Sequence, residues 1–449
     1  MLFYVSKETE LTTQLLQKIL DKFTTYTQPQ LQRWKNYYDG KHAILQKRYA
    51  DPSKPCNRIV TNYCKIITDT YSGYIAGKPV SYSSNDDIED VQEVINYNDD
   101  ASENIQWLTN ALNYGVGYEL QWLDKDAQIR YSQVNPLNAF AIYDNSLDCE
   151  LLYFVRWYDA DSFDDNDEKI LEVYTAHDVK VYKCNGLGGA LTLVEEKPHY
   201  FNDVPVSVFT LNDNEESVFN QIINLNDSYN NLQSCLQDEY DAFVDSFLVF
   251  QGDMQLDAED VAELEKGKQK RTLSMPAGVT VSWLNKNASN VPVENMLEST
   301  KKDIFKVANC PDMSDETFMA QSGEAIKYKL VGFENAASAI VSRFTKAIQR
   351  RIELICNVLN LKASDAVWRD IHIAFTRNLP TNITEIINVV NSLKGTVSDA
   401  TLLAQIPFIT DVPGELEAIQ KQKKANIDIY GFGFGDHEHT EDEEDEDEI

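Results

Sequence analysis

The chain has 449 residues, 43% of them hydrophobic and 11% aromatic, which is enough to bury two or three cores. Its 72 acidic against 40 basic residues leave a formal charge of −32, and this excludes tight nucleic-acid binding over the bulk of the surface, because Lys and Arg supply most phosphate affinity. No run approaches eighteen apolar residues, and Met1–Glu10 lacks a basic stretch followed by an apolar one, so neither a membrane span nor a cleaved signal is expected.

In chain order, Glu8–Tyr26 carries Leu11, Leu15, Ile19 and Phe23 on one helical face. A second helix is expected from Pro29, a good first-turn residue, to Asp39-Gly40, where glycine takes the left-handed cap. Asn57–Ala76 again has helical spacing and stops at Gly77-Lys78-Pro79, after which Val80–Ser83 reads as extended. Helices at Ile88–Tyr97 and Ala101–Tyr114 precede a strand at Tyr118–Leu123. From Ile129 to Thr210 the period changes to two, with runs at Ala139–Tyr143, Leu151–Tyr158, Ile170–Thr175, Val179–Cys184, Leu191–Glu195 and Val206–Phe209. This is the pattern of an antiparallel meander.

The stretch that organises the rest is Asp213–Val249. Val218, Ile222, Leu225, Tyr229, Leu232, Leu236, Tyr240, Phe243 and Phe247 recur in steps of three and four, one stripe of a helix about 50 Å long at 1.5 Å per residue. Asp213 is placed to cap it, with Glu216 reaching back. From Pro198 to Glu265 there is no Lys or Arg but fifteen Asp and Glu, including Asp227, Asp238, Glu239, Asp241 and Asp245. An ordinary surface helix mixes signs so that neighbours pair. The bland reading is a solvated acidic face; the functional one is a wall that something must not stick to.

Beyond it, Asp257–Lys266 reads as a short helix, and Arg271–Met275 with Val279–Leu284 as a hairpin; Lys266, Lys268, Lys270 and Arg271 make a compact basic patch. A helix at Asn295–Ala308 runs into Cys310-Pro311. A very long helix from Ser322 or Gly323 to about Leu359 follows, with Ile326, Leu330, Phe333, Ala337, Ile340, Phe344 and Ile348 on its apolar face and Lys327, Lys329, Arg343, Lys346, Arg350 and Arg351 among its cations. A strand at Ile371–Phe375 and helices at Ile383–Leu393 and Ser398–Leu403 complete the folded part. Asp436–Ile449 carries ten acidic residues and no basic one, a composition expected to stay disordered.

Catalytic chemistry is not legible. Gly73-Tyr74-Ile75-Ala76-Gly77-Lys78-Pro79 has one residue too few for a phosphate loop, and proline where a magnesium-binding hydroxyl belongs. No Ser, His and Asp set or paired catalytic carboxylate stands out among the six histidines and the acidic residues, so no catalytic residue, metal site or cofactor is assigned. The seven cysteines are scattered without a Cys-x-x-Cys pair, which fits buried thiols.

Several stretches together resemble the portal proteins of long-tailed, siphovirus-type bacteriophages. They are Tyr37-Tyr38-Asp39-Gly40-Lys41-His42, Asn57-Arg58-Ile59-Val60-Thr61-Asn62-Tyr63, Tyr71 to Val80, Pro311 to Glu316, Ser322-Gly323-Glu324-Ala325 and Arg377-Asn378-Leu379-Pro380. The resemblance implies an α+β portal fold without enzymatic activity, with a mixed wing, a long helical stem, a small α/β clip and a helical crown, assembled into a ring usually of twelve subunits. It implies a wing at 1–212, stem helices at 213–250 and 295–309, a clip at 251–294, a tunnel loop at 310–321, a long helix and wing return strand at 322–378, a crown at 379–430 and an acidic tail at 431–449.

On that resemblance, the acidic helix lines a channel through which double-stranded DNA passes without tight binding. Met313, Glu316, Phe318 and Met319 are tunnel-loop candidates. Lys266, Lys268, Lys270 and Arg271 dock partners, which are the terminase and later a head–tail connector (adaptor) protein. Arg343, Lys346, Arg350 and Arg351 are inter-subunit candidates, free to offset acidic surface on their own or a neighbouring subunit. Major capsid and scaffold proteins are further partners, at a virion head vertex after assembly in the host cytoplasm. The competing readings are a non-ring head-assembly factor and, behind it, an unrecognised hydrolase.

Overall fold

The computed structural model describes residues 3–52, 54–84, 86–161, 168–244, 248–251, 280–283, 291–314, 323–361, 367–378, 390–403, 406, 414–416, 418–419 and 421–422. The expected elements at Asp257–Lys266 and Arg271–Met275, most of Ile383–Leu393 and the acidic tail lie outside these residues. The chain divides into two units, Met1–Asn378 and Leu379–Ile449.

Strand β1 (Phe3–Val5) leads into helix α1 (Thr13–Lys22), whose Thr12 cap accepts the Leu15 N–H at 3.3 Å, so the helix begins later than the expected Glu8. It continues through a π turn (Phe23–Thr27) into α2 (Gln28–Tyr38). The two expected helices therefore form one path. Pro29 has no N–H for the carbonyl four residues back and its ring crowds that carbonyl; the wider turn makes the room. Gly40 takes φ +80°, as a left-handed cap should. Helix α3 (Tyr63–Ala76) starts only after Asn62, whose side chain accepts the Lys65 N–H at 3.0 Å, and the expected first helical turns at Asn57–Thr61 are not helical.

Strand β2 (Ser81–Ser83) and helices α4 (Glu89–Tyr97) and α5 (Asp100–Tyr114) precede β3 (Val116–Leu123) and β4 (Ile129–Val134). Strands β5 (Ala139–Asp144), β6 (Leu151–Asp159), β7 (Glu168–Tyr174), β8 (Asp178–Asn185) and β9 (Thr192–Pro198) form the expected meander, with β1 added in parallel to β5 at its edge. The last expected strand, β10 (Val206–Thr210), leaves it and pairs with β3, giving a second sheet in the order β10-β3-β4. The reason lies in β3, where Val116–Gln121 is buried on both faces and needs a layer on each side.

One layer is the six-stranded sheet: Val116, Tyr118 and Leu120 of β3 share a core with Ala139, Ala141, Phe154 and Tyr174. The other layer is helical. Trp107 of α5 meets Phe209 and Phe344 edge-on at 6.2 and 5.5 Å, and Phe209 stacks on Phe344 at 4.8 Å. Burying each such ring stabilises by about 1.5–3 kcal/mol. Gly117 lets Trp107 approach, since a Cβ there would sit 2.8 Å from the indole.

Helix α6 (Ile223–Val244) follows a 3₁₀ turn at Asn220–Ile222. It is shorter than the expected Asp213–Val249 at both ends. At the start, Glu215 has φ +53° and the N–H groups of Asn214 and Glu216 bond to the Asn212 side chain, so the capping role expected of Asp213 and Glu216 is not taken up. At the far end, β11 (Leu248–Gln251) pairs with β12 (Thr280–Trp283), where sequence periodicity alone continues the helix. Helix α7 (Val291–Val307) and the long helix α8 (Gly323–Leu361) come next, and β13 (His372–Ala374) pairs antiparallel with β2. In the second unit, α9 spans Asp399–Leu403.

Candidate functional site: an acidic helix anchored from inside

The buried face of α6 is not the apolar stripe that its sequence suggests. Leu225, Tyr229, Leu232 and Leu236 are half-buried and Tyr240 is exposed, whereas Asn226, Asn230, Ser234 and Asp238, spaced by four, are buried. This polar row receives the extended segment 57–61. Asn226 donates to Thr61 O at 2.8 Å, and Asn230 Oδ1 accepts Thr61 N–H at 2.8 Å. Ser234 Oγ accepts Ile59 N–H at 3.0 Å, and Asp238 accepts from the Asn57 backbone N–H and from its amide at 2.9 Å.

The match is geometric: two residues of extended chain advance about 6.6 Å and four residues of helix about 6 Å, so alternate backbone groups meet successive side chains on one helical row. The segment thus satisfies its backbone groups without becoming helix or sheet. This is why Asn57–Thr61 departs from its helical spacing.

The row is closed at both ends. His42 is buried between Tyr37 and Asn230. Because Asn230 Oδ1 faces Thr61 N–H, its Nδ2 donates to His42 Nδ1 at 3.0 Å, which leaves the proton on Nε2 to bond Tyr37 O at 3.0 Å. Burial lowers the His42 pKa, in keeping with this neutral form. At the other end Asp238 Oδ2 accepts from Lys47 Nζ at 3.1 Å and Tyr49 OH at 3.0 Å. Burial pushes its carboxyl pKa up, but the hydrogen bonds from Asn57, Lys47 and Tyr49 outweigh that and hold it below the usual range. Asp241 accepts from Asn57 at 2.7 Å, and Asp227 from Tyr37 OH at 2.7 Å. Tyr229 packs edge-on against Tyr63 at 5.1 Å, and Tyr63 against Phe305 of α7 at 5.7 Å.

Of the acidic candidates, Asp227, Asp238 and Asp241 therefore turn inward as acceptors for the chain's own donors; Glu239 is exposed, and Asp245 lies outside the described residues. The outward face consists of Asn224, Ser228 and Asn231 with Glu239 and Tyr240 beyond them. It is polar, carries no cation, and is acidic only towards its end. Sequence reasoning saw the charge and missed the row of four-spaced small polar residues that was its signal.

Of the four α8 cations expected to offset acidic surface, three, Arg343, Arg350 and Arg351, have acidic partners within their own subunit. Arg351 has no exposure; its guanidinium bonds Glu119 of β3 and Asp100 of α5 and lies over the Tyr131 ring at 4.4 Å. Arg350 pairs with Asp203 at 2.7 Å and Glu353 at 2.8 Å, and Arg343 with Asp213 at 2.7 Å; Lys346 is exposed. Met313 is 47% exposed in the turn after α7, where Lys301 pairs with Asp312 at 2.7 Å. Glu316, Phe318, Met319, Lys266, Lys268, Lys270 and Arg271 lie outside the described residues. Among the described residues no group of His, Cys, Asp or Glu is arranged to hold a metal, and no helix is long and apolar enough to cross a membrane.

Residues 17–428 match the family described as phage portal protein, SPP1 Gp6-like. The portal protein of Clostridium phage phiCD119 is 22% identical over 418 residues, covering 87% of this chain and 92% of the relative. That of Bacillus phage SPP1 is 21% identical over 446 residues, covering 91% and 86%. A solved structure of the neck of an empty GTA particle, computed with C6 symmetry, is similar at a TM-score of 0.44 with 10% identity, covering 76% of this chain and 87% of that one.

Proposed function

This chain belongs to the phage portal protein family of the SPP1 Gp6-like type, and from that premise we propose that its copies close into a ring, usually of twelve, at one vertex of the viral head. The ring is a structural conduit with no reaction chemistry of its own. Genomic DNA enters through it, driven by the terminase, and leaves through it after the head–tail connector has docked. On this reading residues 1–212 make the wing, 322–378 the long helix and wing return strand, and α6 and α7 the stem helices. Residues 251–294 make the clip, with its basic patch facing the terminase and connector, and 310–321 the tunnel loop. Residues 379–430 make the crown. Capsid and scaffold proteins surround the ring, which forms in the host cytoplasm.

The observation that supports this best is the outward face of α6. A duplex that must slide needs a wall without Lys or Arg, since each such contact to phosphate adds affinity and holds the duplex in place. Here Lys47, which bonds the helix at Asp238, sits on the inner side. The wall is a row of amides and hydroxyls with acid at one end, repelling weakly and gripping nowhere.

The test is to place lysines on that row, N224K, S228K and N231K together, and to follow packaging in a reconstituted head. Rings of normal mass whose DNA translocation slows severalfold, most at low salt, support the reading. Unchanged translocation across salt concentrations excludes α6 as the wall.

A further inference from the structure

Arg350 and Arg351 are engaged inside their own subunit, which leaves other cations to bring together chains of charge −32. The sequence separates its charge sharply near its start. Residues 33–65 hold eight Lys and Arg against two Asp, whereas residues 66–124 hold one Lys against eleven Asp and Glu. The loop that carries much of the basic charge and the helix that carries much of the acidic charge rest on different elements. The basic loop after α2 rests on α6, while α4 rests on α5, β4 and α8. On the loop, Lys41, Arg48, Lys54 and Arg58 are exposed; on α4 and the turn before it, Asp86, Asp87, Glu89, Asp90 and Glu93 are exposed.

We infer that the basic loop 41–58 of one copy docks on the acidic α4 face, residues 86–93, of the next copy, so that neighbours join head to tail. The inference rests on the ring reading above and names the surfaces that make the ring. Two different patches on one chain give a heterologous contact, the kind that generates closed rings when the rotation closes. Charge of this arrangement also sets orientation: basic against basic or acidic against acidic is repelled, so a face-to-face dimer is disfavoured while the head-to-tail pair is steered together. The loop is well made for this task. Lys47 and Asn57 fix it to Asp238, and Arg58 Nε holds Lys47 O at 3.0 Å, so the exposed cations stand on an ordered base.

A second copy is favoured over DNA as the occupant because the chain itself supplies the complementary acidic face.

The experiment uses full-length chains and two surface variants. The first reverses the loop (K41E, R48E and K54E together); the second reverses α4 (E89K, D90K and E93K together). Each alone presents like charges at every junction, and its assembly midpoint should rise by roughly tenfold or more in protomer concentration relative to the natural chain. Mixed in equal amounts, every junction of an alternating ring regains opposite charges, and so does a single chain carrying all six changes; both should assemble at close to the natural midpoint. That rescue also shows that the variants fold. Variants that assemble like the natural chain overturn the proposal and leave the ring reading standing. So does loss without rescue on mixing, and so does unchanged assembly with weaker retention of duplex DNA by the loop variant, which would assign the loop to nucleic acid. A natural chain that never leaves the monomer overturns both readings.

Discussion

Replacing Arg351 by methionine tests how α8 is held to the body of the protein. Methionine fills much of the same volume but leaves Glu119, which has no exposure, buried in the company of Asp100 without the guanidinium that now bonds both. Removing one partner of a buried ion pair costs about 3–5 kcal/mol, a large fraction of what a domain of this size has to lose. The loss belongs to the stranded carboxylate, so R351M combined with E119L should recover most of it, even though two polar residues are then gone. The pH dependence follows from Glu119. Burial raises its pKa even beside Arg351, and without Arg351 the rise is larger. A carboxyl raised in the folded state favours folding below its unfolded value and loses that contribution as pH rises through the folded value. The R351M deficit should therefore be small in acid and grow towards neutral pH. Denaturant unfolding followed by circular dichroism measures all three proteins. A deficit under about 1 kcal/mol at neutral pH, or a double variant no better than the single, would refute the account of Arg351 as the counter-charge of a buried acid.

Two further changes test the anchor of α6 and the packing around it. D238N keeps the size of the side chain but turns an amide donor towards Lys47, Tyr49 or Asn57, and should cost about 1–3 kcal/mol at neutral pH. Because the Asp238 pKa is depressed, its contribution is present above the ordinary aspartate value and fades as pH falls through the folded one; natural and D238N stabilities should converge in acid. Curves that stay parallel would show that the carboxylate charge is not what matters. Gly115 has φ +75°, and a Cβ there would lie 2.2 Å from the Glu215 carbonyl carbon. G115A should cost about 3 kcal/mol or more and be seen as a large drop in thermal midpoint; a drop of only a degree or two would mean that the Glu215 turn yields.

Much of this fold is written in spacing. The long helix α8 was legible from Leu330, Phe333, Ala337, Ile340, Phe344 and Ile348, and the meander from its period of two, because in both the buried residues are apolar and regularly spaced. What was not legible is where polar residues do the burying. Arg351 continues the stripe of Phe344, Ile348 and Ile355, and that position was a signal that it points inward; residue type alone places an arginine at the surface. On α6 the apolar residues suggested the wrong face, because the true one is held by Asn226, Asn230, Ser234 and Asp238 against a segment over 160 residues away in sequence. Local periodicity also could not see that Leu248–Gln251 would find a strand partner at Thr280–Trp283, nor that β3 needed its own sheet. These are tertiary pairings, and a window of the sequence does not contain them.

The central claim is a closed ring whose channel wall carries no gripping charge, and absolute mass by light scattering followed by electron microscopy of the same peak tests it most directly. A uniform species of about a dozen chains, with a central hole lined by α6 at a width that admits a duplex, is the predicted result. A defined monomer or compact dimer that never closes, or a ring whose hole is lined by some element other than α6, would contradict it.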